Sequence, residues 1–354
     1  LITGVAGVAG YNALDYFRAR YPGQVVAIRQ QDNWRLAGEG VVACDAENHD
    51  RLRALFDEYQ FRSVLNCAGN CALRACELDT RLAWRTNVEG LINLLSIVVD
   101  RDVRLVHLSI DLVFSGERAG ASSPPVLARS VGVEDDPARG GYVESDPTDP
   151  VTVYGKTMVA AEQLIRDWLP QACMLRISLP MGVSFNGHAG AIDWIQSRFK
   201  KGRPATLYFD EVRTPAYTDC LNRLNERVLA SELAGLYHAG GPRALSLYEI
   251  AQIVNRVGGY DPKLLHGCPR IDAGPIPPRA GDVTMNSAAL ADALGADSPG
   301  NGPLDPWPHD PQLVPTDPDW HHHRNGQPGS PDLLARVLYR NPGRRPRDAV
   351  VANI

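Results

Sequence analysis

Through the first half of the chain, short apolar runs alternate with longer segments whose apolar residues recur three and four places apart, the alternation expected of a βαβ array. "LIT" leads into a glycine loop, and "YNALDYFRARY" reads as a helix ended by Pro22-Gly23. "QVVAIR" and "GVVACD" follow as the second and third strands, "HDRLRALFDEYQ" as a helix and "SVLNCAG" as a strand. "LDTRLAWRTNVEGLINLLSIVVDRD" reads as one long helix, and "RLVHLSIDLVFSG" as a strand running into a loop. Repeated βαβ units predict a doubly wound parallel sheet with helices on both faces, an α/β fold of the Rossmann type.

The pattern then loosens. Residues 117–150 are rich in Pro, Gly, Ser and acidic residues and read as a long loop, a functional lid or mobile insertion. After a helix headed by Tyr154 comes the strand "ACMLRISLPMG". "GAIDWIQSRFKKGRP", "LSLYEIAQIVNRVGG" and "SAALADALG" are helical pieces suited to a smaller C-terminal lobe. The predicted division is a nucleotide-binding domain over 1–182, completed by about 217–240, with a substrate lobe over 183–216 and 241–295. Residues 296–354 form a Pro/Gly-dense irregular extension in which "PDLLARVLYR" reads as a short closing helix.

Composition narrows the ligand. A chain of 354 residues with 44% hydrophobic and 22% charged residues has enough apolar material for one large core, or two modest ones. Its formal net charge of -5 gives no electrostatic footprint for nucleic acid or an anionic membrane, which leaves a small molecule as the expected ligand. No apolar run reaches the roughly 18 residues a membrane span requires. Seven cysteines without a CxxC pair read as free thiols in a reducing cytosol, so a cytoplasmic location is expected. The opening "LITGVAG" lies inside the first strand, so a few residues are expected ahead of it. His321, His322 and His323 are adjacent, so their side chains diverge; they read as a solvated patch and no metal site is expected.

The candidate chemistry begins at "GVAGVAG", where Gly4, Ala6, Gly7 and Gly10 stand between the first strand and first helix. Glycines there permit a tight turn, close approach to a pyrophosphate, and close packing of a helix whose N-terminus offers free N–H groups. At the end of the second strand, where an Asp or Glu would serve an NAD ribose, stands Arg29, with Arg35 further along. A cation suits the additional 2′-phosphate, so NADP(H) is favoured over NAD(H); an ordinary exposed arginine is the alternative. Asp45 contacts the adenine amino group or merely starts the following helix.

With "GVAGVAG", "NCAG", "TNVEG", "HLSIDLVFSG", "YVESDPTDPVTVYGKTMVAAE", "FDEVRTPAYTDCL", "GLYHAGG" and "PRAGDVTMNS" in this order, residues 1–295 resemble the dTDP-4-dehydrorhamnose reductase family of extended short-chain dehydrogenases/reductases. The resemblance implies reduction of a nucleotide-linked 4-keto-6-deoxy sugar with NAD(P)H. It implies cofactor contacts from the glycine loop, from Cys67, Ala68 and Gly69, from Ser109, and from Leu179 and Pro180 on the strand passing the nicotinamide. Asp111, Phe114 and Arg213 fall on the substrate side, and Tyr154 matches the tyrosine that gives a proton to the sugar oxygen. The same family includes the regulatory subunit of methionine adenosyltransferase, so a homo-oligomer or a protein partner also belongs among the expectations.

Two positions depart from that pattern. The family usually has Thr where "SIDLVF" has Ile110, and Lys where "YGKTM" has Met158. The lysine lowers the tyrosine pKa from near 10, an effect of about 1 to 3 units for a nearby cation. Lys156 cannot replace it, because two helical steps of about 100° turn its side chain away from Tyr154. Ser109 and Ile110 face opposite ways on a strand, so only a bulge would turn Ser109 inward. By analogy with a missing oxyanion donor, losing the hydroxyl costs about 2.7 to 4 kcal/mol in the transition state. The sequence therefore predicts an impaired or altered reductase site, with a non-catalytic NADP-binding regulatory or scaffold protein as the alternative.

Overall fold

The computed structural model describes residues 1–117, 141–187, 189–241 and 244–295. The tail from residue 296, with its predicted closing helix and His321 to His323, lies outside the described residues, as does 118–140 of the predicted long loop.

The predicted first strand is reduced to a single bridging residue. Ile2 pairs in parallel with Ala27 on one side and Leu65 on the other. Next come α1 (Val8–Arg20), β1 (Ala27–Arg29), β2 (Val41–Ala43), α2 (His49–Tyr59) and β3 (Ser63–Asn66). The segment predicted as one long helix is helical without interruption from Thr80 to Val98, as α4 (Thr80–Trp84), a π-helical turn (Arg85–Glu89) and α5 (Gly90–Val98), and is preceded by a separate α3 (Leu73–Leu78). Asp79 separates α3 from α4, and its side chain caps α4 by accepting the Leu82 N–H at 2.9 Å. After β4 (Arg104–Ile110) and α6 (Val153–Trp168) come β5 (Cys173–Ile177), β6 (Pro180–Met181), α7 (Ala191–Lys200), β7 (Ala205–Tyr208), β8 (Val212–Arg213) and β9 (Ala216–Tyr217). The remaining elements are α8 (Thr218–Leu229), β10 (Gly235–Ala239), β11 (Leu245–Ser246), α9 (Leu247–Val257), β12 (Leu265–Cys268) and α10 (Ala288–Ala293).

Ile2 joins the parallel pair β2-β1 to the parallel run β3-β4-β5-β10. The strand order therefore reverses at Ile2, the switch point at which a doubly wound sheet binds ligands beyond its strand ends. β5 is buried at every position and β4 at all but Arg104, because helices cover both faces. One core holds Leu14, Val106, Leu108, Leu175 and Leu221; the other holds Phe56, Leu95, Leu105, Ile165 and Met174. A third, smaller core gathers Ile192, Ile195, Phe199, Leu207, Ile250 and Val254 of the C-terminal lobe. There β7 pairs in parallel with β12, and β8 pairs antiparallel with β11.

Helix α6 is set by its first turn. Thr152 caps it, accepting the Gly155 N–H at 2.9 Å. A Cβ at Gly155 would stand 2.2 Å from the Leu112 carbonyl oxygen, so only glycine lets α6 lie this close to the turn after β4. That contact brings the head of α6, with Tyr154, to the end of β4, with Ile110.

Candidate active site

The glycine loop has two kinds of glycine. At Gly4 (φ +65) a Cβ would lie 2.2 Å from the Cys67 carbonyl oxygen, and at Gly10 one would lie 2.5 Å from the Gly4 carbonyl oxygen. Both glycines are demanded by the fold itself. At Gly7 the nearest atom, the Gly4 carbonyl oxygen, is at an ordinary 3.4 Å, so internal packing does not require glycine there. Gly7 is the N-cap of α1, with no side-chain cap and no acidic residue in the first turn. An open helix N-terminus with an empty Cβ position in front of it fits an anion such as a pyrophosphate. Ala6 adjoins it, its carbonyl accepting the Phe185 N–H at 3.3 Å.

The adjacent loop after β3 rests on a buried polar chain. Thr3 Oγ1 donates to Asn66 Oδ1 at 2.5 Å and accepts the N–H groups of Cys67 and Ala68 at 3.1 Å each. Asn66 Nδ2 lies 2.9 Å from His107 Nδ1, and burial lowers the His107 pKa to about 4. Burial likewise pushes the Cys67 thiol up to about 12, so that it is an inert thiol beside the cleft. Gly69 is exposed at the loop's tip.

At the other end of the cleft, Arg29 is not a free cation. Its Nη1 donates to the carbonyls of Gln30 at 2.9 Å and Gln31 at 3.1 Å, and its Nε is enclosed without a partner. Asp45 Oδ1 accepts the Gln31 N–H at 2.9 Å, so both residues hold the same turn. Neither geometry is legible in sequence, because each side chain turns back on backbone that only the fold brings near.

Tyr154 is buried (8% exposed) in the same apolar cluster as Ile110 and Met158. Its pKa is raised well above 10, first by burial, then by the Cys71 thiol and the Asp111 carboxylate; Arg213 opposes the rise. Cys71 is reached by water yet enclosed by neighbouring protein, as a residue lining a recess is, and that enclosure raises its own pKa. Lys156 is exposed on the far side of α6. Ser109 points away from the site: its Oγ donates to Glu162 Oε1 at 2.6 Å, and Glu162 is clamped by Arg176 at 2.7 and 2.8 Å. The cofactor contact expected of Ser109 is thus replaced by a buried bond behind the site, because the strand has no bulge to turn it.

On the substrate side, Asp111 and Arg213 form a buried pair, Nε donating to Oδ2 at 2.6 Å, with a second bond from Nη2 to Oδ1. Ser178 Oγ also donates to Asp111 Oδ2, at 2.6 Å, and accepts the Thr214 N–H at 3.1 Å. Burial raises the Asp111 pKa, opposed by Arg213 and the Ser178 bond. Leu179 and Pro180 follow Ser178 and are half-buried, the Leu179 carbonyl accepting the Ala216 N–H. Phe114 does not reach a cleft. It is fully buried, stacked on Tyr142 at 3.9 Å, with the Arg176 guanidinium 5.0 Å from its ring. The substrate contact expected of Phe114 therefore fails for want of an exposed face.

Asn87, which lies in the "TNVEG" motif but is given no role by the sequence alone, ties these parts together. Its Oδ1 accepts the Asn70 N–H at 2.6 Å, and its Nδ2 donates to Thr157 Oγ1 at 2.9 Å. Thr157 Oγ1 in turn donates to the Tyr154 carbonyl at 2.7 Å. Asn87 lies in the π-helical turn, an irregularity common at functional sites. Its place in the "TNVEG" motif, inside an apolar helical run, is the signal the sequence offers.

The family model described as RmlD substrate binding domain matches residues 1–299. The dTDP-4-keto-6-deoxy-D-glucose reductase of Streptomyces niveus is 26% identical over 285 residues, 79% of this chain and 86% of its own length. The probable low-salt glycan biosynthesis reductase Agl14 of Haloferax volcanii is 24% identical over 257 residues, 72% of this chain and 79% of its own. Among solved structures, the dTDP-4-dehydrorhamnose reductase of Bacillus anthracis in complex with NADP superposes with a TM-score of 0.65 at 18% identity, covering 82% of this chain and 90% of that one.

Proposed function

The chain belongs to the RmlD substrate binding domain family, that of dTDP-4-dehydrorhamnose reductase, and on that premise we propose that it binds NADP(H) and slowly reduces the keto group of a dTDP-linked 4-keto-6-deoxy sugar. When bound, the nicotinamide supplies the hydride. The chain's own part is to seat the pyrophosphate on the open N-terminus of α1 at Gly7 and to present the Tyr154 hydroxyl as the proton source. The observation that carries this reading is Tyr154 itself, held at the head of α6 with a pKa raised by burial. A tyrosine that stays protonated can give a proton to the oxygen of a reduced carbonyl, whose alkoxide is far more basic. In the reverse oxidation the same oxygen would take the proton back. The rate is lowered by the missing hydroxyl at Ile110 and the missing cation at Met158.

A second reading rests on Ile110 and Met158 standing with Tyr154 in one buried apolar cluster. Such a wall suits a protein that keeps the cofactor cleft for binding or regulation and has lost turnover. The experiment is NADPH consumption by the purified chain with dTDP-4-keto-6-deoxyhexose, beside Tyr154→Phe and the double variant Ile110→Thr, Met158→Lys. We expect slow consumption by the natural chain, none by Tyr154→Phe, and faster consumption by the double variant, with NADPH binding to each as the check on folding. Consumption by the double variant alone favours the binding reading. If neither consumes NADPH while both bind it, the substrate assignment falls.

A further inference from the structure

We propose that Arg35 and Trp34 form the reader of the adenosine end of the cofactor, Arg35 taking the 2′-phosphate and Trp34 covering the adenine, while Arg29 only shapes the turn between them and β1. The inference deepens the NADP(H) reading above and rests on it.

Arg29 lacks a free fork of N–H groups. A guanidinium grips a phosphate best through two parallel N–H groups. One such fork of Arg29 needs Nε, which is enclosed, and the other needs Nη1, which already serves two carbonyls. Neither fork is presentable. Arg35 is in the opposite condition: it is exposed, and among the described residues it has no ion pair or hydrogen bond. Its guanidinium carbon lies 5.2 Å from the centre of the Trp34 ring. The stack holds the planar cation in place without using its N–H groups, all of which remain free for an anion.

Position supports the same assignment. Trp34 and Arg35 lie on the loop leaving the C-terminal end of β1, the edge of the sheet on which the glycine loop and the open N-terminus of α1 also stand. Gln31–Asn33 forms a one-turn helix pinned by Asp45 and Arg29, and Leu36, fully buried in the core, anchors the loop on the other side. Between those anchors the indole of Trp34 is left 61% exposed. An aromatic face held on a fixed turn is what a purine stacks on.

Direct binding tests the assignment. NADPH and NADH are titrated against the purified full chain by calorimetry and by energy transfer from tryptophan to the reduced nicotinamide, with adenosine 2′,5′-bisphosphate as a probe lacking the nicotinamide. The natural chain is expected to prefer NADPH. Arg35→Gln is expected to weaken NADPH and the bisphosphate by about tenfold to a hundredfold while leaving NADH unchanged. Trp34→Ser weakens NADPH and NADH alike, by roughly fivefold or more. The proposal is overturned if Arg35→Gln keeps the preference, if Arg29→Gln abolishes it instead, or if the natural chain prefers NADH, which would give the turn to Asp32 as a ribose acceptor. Failure of the natural chain to bind either dinucleotide would overturn the nicotinamide reading itself, an outcome distinct from a lost preference.

Discussion

Arg213 grips Asp111 across 102 residues of sequence, its Nε 2.6 Å from Oδ2 in a pocket where both side chains are at most 5% exposed. Asp111 immediately follows Ile110, so the pair fixes the turn at which the family's hydroxyl is missing. It also brings one positive and one negative group near Tyr154, whose influences on that hydroxyl oppose each other. Removing one partner leaves the other charge buried. Arg213→Leu should therefore cost about 3 to 5 kcal/mol in urea unfolding, and Asp111→Leu combined with it should recover part of that loss. Equal stabilities for the single and double variants would mean that Glu211, 3.8 Å from Arg213, and Ser178 already compensate the pair.

The glycine loop separates fold from binding. Gly10→Ala places a methyl 2.5 Å from a backbone oxygen that cannot easily move, and should destabilise the chain by about 1 to 3 kcal/mol. Gly7→Ala meets nothing closer than 3.4 Å and should cost at most about 1 kcal/mol, as a poorer N-cap. Yet the methyl at position 7 fills the cradle in front of α1. Thermal melts beside NADPH titrations check this: Gly7→Ala is expected to melt near the natural chain and to lose NADPH, and retained binding would remove the pyrophosphate from that helix end.

The sequence pattern carries the parallel array and the Tyr154 helix because those depend on local periodicity and on turns a few residues long. It finds the long helix after β3 but not the π-helical turn inside it, where Asn87 bonds to Asn70 and to Thr157, the latter 70 residues away. It does not show the turn that Arg29 holds, and it takes Phe114 for a substrate contact, for a related reason. Residue type announces what a side chain can do, whereas the Gln30 and Gln31 carbonyls and the Tyr142 ring, which occupy these two side chains, are placed by the fold. The departures at Ile110 and Met158 are legible because a motif of fixed spacing makes a wrong residue visible.

His107 gives the folded chain an acid limit. It is buried behind the loop after β3 with its pKa lowered from 6.5 to about 4, and burial lowers His238 as well. Between those values the unfolded chain binds a proton at His107 that the folded chain does not. Its contribution is thus complete above pH 6.5 and is lost as the pH falls through 4, by about 3 kcal/mol at most. Urea midpoints at pH 7.5 and 4.5 should show the fall, and His107→Gln should reduce it. An unchanged slope in that variant would assign the acid sensitivity to His238 or to the buried carboxylates.

Met158 makes the reductase reading testable through pH alone. With no cation beside it and burial acting on it, Tyr154 stays protonated well beyond pH 10. Reduction by the natural chain should therefore show no alkaline limb from this tyrosine between pH 7 and 10. Ile110→Thr with Met158→Lys returns a charge to the face of α6 that Tyr154 occupies, which should lower the tyrosine pKa by about 1 to 3 units relative to the natural chain. Oxidation should then rise with pH as tyrosinate forms, and reduction should fall over the same interval. A change in rate without a change in profile would mean that the introduced residues act by packing rather than through the Tyr154 proton, because only an electrostatic partner moves the pH at which that proton leaves.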